Sequence, residues 1–90
     1  MAGTMLLEIL TPENVFYTGQ ISRLVAEQTD GAEGYLPGHA PVMKLLKEGG
    51  TLRFQDAEGE KKVLVQGGHI GVSDRILIFT PGARWKEDAQ

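Results

Sequence analysis

Short apolar stretches broken by turn residues recur along this chain, and they are too short and too closely spaced for helices of ordinary length. Met5 to Leu10 predicts a first strand, ended by Thr11-Pro12-Glu13-Asn14. Val15-Phe16-Tyr17 predicts a second, ended at Gly19, and Ile21 to Gln28 a third. Thr29-Asp30-Gly31-Ala32-Glu33 reads as an acidic turn. It leads into Gly34-Tyr35-Leu36-Pro37-Gly38-His39-Ala40-Pro41, where proline fixes φ and glycine frees it, so the segment holds a shape outside any helix or central strand. Val42, Leu45 and Leu46 sit at helical spacing behind Pro41, yet only about two turns fit before Gly49-Gly50, and Val42 to Lys47 is read as a strand.

The second half alternates more plainly. Thr51-Leu52-Arg53-Phe54-Gln55 has one wet face and points Leu52 and Phe54 inward. Asp56-Ala57-Glu58-Gly59-Glu60 is a polar hairpin tip, and Lys61 to Gln66 returns through Val63 and Val65. Gly67-Gly68 breaks that strand as a bulge, Ile70 and Val72 form a short one, and Ser73-Asp74 turns. Arg75-Ile76-Leu77-Ile78-Phe79 is apolar on both faces, which predicts a central strand. Some nine short strands can bury their faces only as two packed sheets or a flattened barrel. The fold expected is therefore all-β, a flattened sandwich or barrel of about nine to ten short strands.

With 90 residues the chain suffices for one small domain, taken as 1–90 with a core over about 5–83 and a short tail at 84–90. It has no cysteine, which removes disulfides, thiolate metal sites and a cysteine nucleophile. The formal charge is −3 and the nine basic residues are scattered along the sequence, so nucleic acid is not an expected partner. No apolar run approaches the roughly 20 residues that span a bilayer, and direct membrane insertion is not expected.

Candidate chemistry is sparse. His39 and His69 lie thirty positions apart, whereas zinc takes about three or four ligands, so no metal is assigned. Asp56, Glu58 and Glu60 resemble paired carboxylates only superficially, because a Gly59-containing tip is a solvated turn. Gly67-Gly68-His69-Ile70-Gly71 lacks the helix and lysine of a phosphate cradle. Ser22 and Ser73 have no strand-turn-helix elbow around them. No catalytic residue and no cofactor are assigned. Trp85 is read as capping one end of the sandwich, with a partner contact as the alternative.

Thr11-Pro12-Glu13, Val15-Phe16-Tyr17-Thr18-Gly19, Asp30-Gly31, the Pro37-Gly38-His39-Ala40-Pro41 loop and Gly67-Gly68 near Val72 occur in one order and spacing. In these motifs the chain resembles the N-terminal domain of the F-type ATP synthase epsilon subunit, from about Met5 to Ala83. The resemblance implies a β-sandwich that is not itself catalytic, clamps the foot of the gamma subunit and sits on the membrane c-ring. It also implies a peripheral place at the cytoplasmic face of a bacterial inner membrane or an equivalent energy-transducing membrane, coupling proton or sodium flow to ATP synthesis. Most members continue into two C-terminal helices, whereas this sequence stops at Gln90. ATP binding and inhibition by an extended helical arm are accordingly not expected.

Residue by residue, the resemblance implies two surfaces. Asp30, Gly31, Ala32 and Glu33 match the segment that meets the c-ring. Thr11, His39 and Lys44 match positions facing gamma, with affinity expected from Pro41, Val42 and Tyr35. The alternative reading is a stand-alone β-barrel module that binds a peptide or small ligand, with the Tyr35 to Pro41 loop as its lip.

Overall fold

The computed structural model describes residues 3–86, and these form nine strands with no helix. β1 (Met5–Leu10), β2 (Val15–Gln28), β3 (Gly31–Tyr35), β4 (Val42–Leu45), β5 (Glu48–Asp56), β6 (Gly59–Gln66), β7 (His69–Val72), β8 (Ile76–Phe79) and β9 (Ala83–Trp85) follow in chain order. The hydrogen-bonded order is β4-β7-β8-β1-β2-β5-β6-β9, with β3 paired to β2. β1 and β8 run parallel, and the remaining pairs are antiparallel.

The two strands expected either side of Gly19 are one 14-residue strand. Gly19 does not break the ladder. It lies opposite Leu7, and a Cβ there would stand 2.7 Å from the Tyr17 hydroxyl. The glycine therefore makes room for the tyrosine rather than for a turn. The first part of β2 pairs with β1, and beyond Ile21 the strand pairs with β5 and β3. The register shifts between Ile21 and Arg23, a bulge that bends the strand and resets which side faces inward. β2 thus passes from one layer, β4-β7-β8-β1, to the other, β3-β2-β5-β6-β9.

The inner faces meet in a single cluster. Leu7, Ile9, Ile70, Val72, Ile76 and Ile78 come from the first layer, and Leu24, Ala26, Leu52, Phe54, Val63 and Val65 from the second. Every one of them is buried at the alternate positions that a period of two dictates. Along one side the layers are tied by backbone bonds around the Gln28–Leu46 bridge: Thr29 N–H donates to Leu45 O and Lys47 N–H to Glu27 O. At the other end Trp85 stacks on Phe16, with ring centroids 5.0 Å apart, and stands edge-on to Tyr17.

Three further expectations are corrected. The acidic turn narrows to Thr29-Asp30, because Gly31 to Tyr35 pairs with β2 as an edge strand. Gly67-Gly68 is a connection, not a bulge inside a strand. Both glycines have positive φ, and β7 approaches so closely there that a Cβ on Gly68 would lie 2.1 Å from Phe79 O. β8 is central within its layer but buried on one side only: Ile76 and Ile78 face the core, while Leu77 and Phe79 face outward.

Candidate partner-binding surfaces

The glycine- and proline-rich loop is built around a tight turn. His39 N–H donates to Leu36 O at 3.0 Å, with Pro37 and Gly38 between them and Gly38 at φ +90°. Proline then glycine is the residue order that a type II turn demands, since its third position needs positive φ. Tyr35, expected to be an exposed anchor, is instead fully buried. Its hydroxyl bonds the buried Gln28 side chain, and its ring packs edge-on against His39 at 4.7 Å. Burial raises the Tyr35 pKa. The tyrosine holds the loop down from inside, which leaves the loop without an aromatic lip for a ligand.

The structure joins the two expected surfaces. Lys44 Nζ lies 2.9 Å from Asp30 Oδ2, and His39 Nε2 lies 3.7 Å from Glu33 Oε2. The lysine hydrogen bond holds the Asp30 carboxyl below its ordinary range, and Asp30 in turn raises the Lys44 pKa. Lys44 points the same way as buried Ile70, its neighbour across β7, so its aliphatic stem runs along the core edge while the ammonium reaches out to the turn. The acidic turn and β4 therefore form one unit.

Alternation along β4 divides the remaining candidates. Val42 and Lys44 face inward, and Val42 packs against the core. Met43 and Leu45 face outward and are 73% and 54% exposed. Register places Met43 beside Gly71, Leu77 and Glu8, and Leu45 beside His69, Phe79, Leu10 and Val15. Leu77 (38%), Phe79 (53%) and Val15 (55%) are also exposed. Five of the seven exposed large apolar side chains among the described residues thus share one outer sheet face. Thr11 follows Leu10 at the rim of this face, three strands from β4, and its hydroxyl contacts the Asn14 carbonyl at 3.2 Å. Pro41 is exposed immediately before β4, and Gly31 and Ala32 are exposed on β3.

The sequence reading missed Met43, Leu45, Leu77 and Phe79. Their signal was present: in β8 a four-residue run is apolar at every position, and only one of its sides has a second layer to meet. Elsewhere, Tyr17 donates to Asp56 Oδ2 at 2.8 Å, and Lys61 bonds both Asp56 and Glu58. Burial, then the bond to Asp56, raises the Tyr17 pKa to about 12. The Lys61 bond lowers that of Asp56, so this cluster is a satisfied network and not a proton-transfer pair. Among the described residues no group of three or more His, Cys, Asp or Glu could hold a metal ion, and no helix is long and apolar enough to cross a membrane.

Residues 4–86 match the family model of the ATP synthase delta/epsilon chain β-sandwich domain. Among curated relatives, the ATP synthase epsilon chain of Corynebacterium urealyticum is 36% identical over 83 residues, covering 90% of this chain and 67% of that one. The epsilon chain of Desulforamulus reducens is 43% identical over 84 residues, covering 92% of this chain and 63% of that one. This chain thus spans about two thirds of the length of those relatives. A chain in the Euglena gracilis mitochondrial ATP synthase, resolved as OSCP/F1/c-ring, superposes with a TM-score of 0.87 at 20% identity, over 98% of this chain and 57% of that one. The turn, the loop and the two-layer core are thus those of a family, and the chain belongs to the ATP synthase delta/epsilon chain β-sandwich domain family.

Proposed function

We propose that this chain is a non-catalytic central-stalk component of a rotary ATP synthase, coupling the gamma subunit to the membrane c-ring. The observation that carries the reading is the outer face bearing Met43, Leu45, Leu77, Phe79 and Val15. Contiguous exposed apolar area of this kind marks an interface with another protein. Gamma docks on this face, with Thr11 at one rim and the His39–Pro41 loop at the other. Val42 and Lys44 act from behind: Val42 fixes β4 to the core, and Lys44 ties it to the turn that carries Asp30. Asp30, Gly31, Ala32 and Glu33 lie at the neighbouring end and meet the polar loops of the c-ring, where their charge sets register more than affinity. The protein is peripheral to the membrane and reaches it through the ring, on the cytoplasmic face in a bacterial cell. The relatives are named ATP synthase epsilon chains, and a second structural neighbour belongs to the central stalk and c-ring of the Tetrahymena thermophila enzyme, which supports the assignment.

The test is titration of the purified chain with a gamma-containing ATP synthase head by calorimetry, wild type against L45S/F79S. Each side chain is about half exposed when free. Burying what remains is worth about 1 kcal/mol apiece, so the pair loses about thirtyfold in affinity. Thermal unfolding of the free chain changes little, because neither residue belongs to the core. Equal affinity for the two proteins would move gamma off this face.

A further inference from the structure

Gly71 stands inside β7 on the outward side of the first layer, in the row Met43, Gly71, Leu77, Glu8 that crosses β4, β7, β8 and β1. A glycine inside a strand costs backbone entropy and leaves a gap in side-chain packing. It is ordinarily explained by a bulge, a bend, a positive φ or the close approach of another group. The causes internal to the fold do not apply here. Its φ is not positive, and its pairings with Met43 and Leu77 continue without a register shift. A Cβ on Gly71 would have no neighbour nearer than Leu77 O and the Met43 Cε methyl, both at 4.0 Å, an ordinary van der Waals distance. At Gly19, Gly50 and Gly68, by contrast, a Cβ would meet another atom at 2.7, 2.9 and 2.1 Å.

The missing side chain leaves a hole. β4 and β8 flank β7 on its two sides, so Met43 and Leu77 rise from strands about 10 Å apart, with Gly71 as the floor between them. Both walls are exposed, whereas Gly71 itself is half-buried. The depression extends to Ser73 and Arg75 and measures about 300 Å³. It is continuous with the apolar face that Leu45 and Phe79 share. Charge complementarity selects its occupant: Arg75 and Glu8, the charged side chains beside it, pair with each other at 3.3 Å. An apolar side chain fits there, where a carboxylate or ammonium would lose water without gaining a partner. Met43, unbranched and flexible, is a wall that adjusts to what enters. Gly34 is also free of close contacts, but β3 pairs with β2 alone, so no second wall stands beside it.

We infer that Gly71 is the socket for one large apolar side chain of gamma, of leucine, methionine or phenylalanine size. Gly71 is thereby a specificity-determining position of the interface. This rests on gamma docking at this face, and it names what gamma must present there.

The test is calorimetric titration with a gamma-containing ATP synthase head, run on Gly71→Ala, Gly71→Val and Gly34→Val. Filling the socket overpacks the interface, so Gly71→Val should bind about tenfold more weakly, with a smaller loss in Gly71→Ala. Gly34→Val should bind like the wild type. The free Gly71→Val chain should unfold at the wild-type temperature or above it, because valine suits a strand better than glycine. Wild-type affinity in Gly71→Val, an equal loss in Gly34→Val, or an unfolding midpoint lowered by more than a few degrees would overturn the socket. L45S/F79S separates this socket from the docking of gamma itself. If that variant binds weakly while Gly71→Val binds normally, gamma covers the face without a knob at Gly71. Undiminished binding of both moves gamma off the face altogether.

Discussion

Gly68→Ala isolates the approach of β7 to β8, on which the presentation of Phe79 depends. Gly68 has φ +110°, and an added Cβ would meet Phe79 O at 2.1 Å and Thr80 Cα at 2.8 Å, both backbone atoms. Gly31, at φ +119°, has nothing within 4 Å of the same position. Both substitutions carry backbone strain of order 1–3 kcal/mol, offset by about 0.4–1 kcal/mol from the stiffer unfolded chain. Gly31→Ala should therefore lose about 1 kcal/mol. Gly68→Ala must in addition push two strands apart by about 1 Å and strain the His69–Phe79 and Ile70–Ile78 pairings; with overpacking at about 1–3 kcal/mol, the total is about 3 kcal/mol or more. A chain of this size has only about 5–13 kcal/mol of stability in all. Urea unfolding of both variants measures the difference directly. Losses equal within about 0.5 kcal/mol would mean that φ alone requires the glycine and that the strand approach is not as described.

Three other outcomes are expected. Burial raises the pKa of both tyrosines, Tyr17 from its ordinary 10.0 to about 12, so a spectrophotometric titration of the folded chain should show less tyrosinate near pH 10 than the unfolded chain does. The stability gained at Tyr17 is complete below pH 10 and is lost as pH rises towards about 12; a normal titration would contradict its burial and its bond to Asp56. In Lys44→Met the Asp30 carboxyl should return towards its ordinary 3.8, seen by carboxyl carbon NMR. The Lys44 bond lowers the folded value, so the stability it supplies is present above pH 3.8 and disappears as pH falls through the lowered value in the wild type alone. Asp30→Asn with Glu33→Gln should leave gamma binding intact and reduce proton pumping per ATP hydrolysed in a reconstituted complex; unchanged coupling would remove the c-ring assignment.

Periodicity alone made most of the strands legible. Leu52, Phe54, Val63 and Val65 alternate with polar neighbours, and the structure buries all four. The Pro37-Gly38 turn was equally legible, since its chemistry depends only on adjacent residues. Gly19 and Gly31 misled because a glycine reports that a side chain is excluded without saying by what. At Gly19 the excluding atom is the Tyr17 hydroxyl, and at Gly31 the φ lies inside a ladder with β2.

Sequence by itself determined the all-β class, the proline-marked connections at Thr11-Pro12-Glu13-Asn14 and Pro37-Gly38, and the family, because all three are written in local spacing. It could not decide which apolar positions have a second layer to meet. β8 is apolar throughout, and only the stacking of layers leaves Leu77 and Phe79 outside while Ile76 and Ile78 are buried. Tertiary structure also brought Asp30 to Lys44 and Glu33 to His39, and gathered Arg23, Arg53, Lys62, Arg84 and Lys86 onto one side. Asp30 and Lys44 lie 14 positions apart and the basic residues are spread over four strands or their ends, so their meeting depends on strand order and register, which no local pattern encodes.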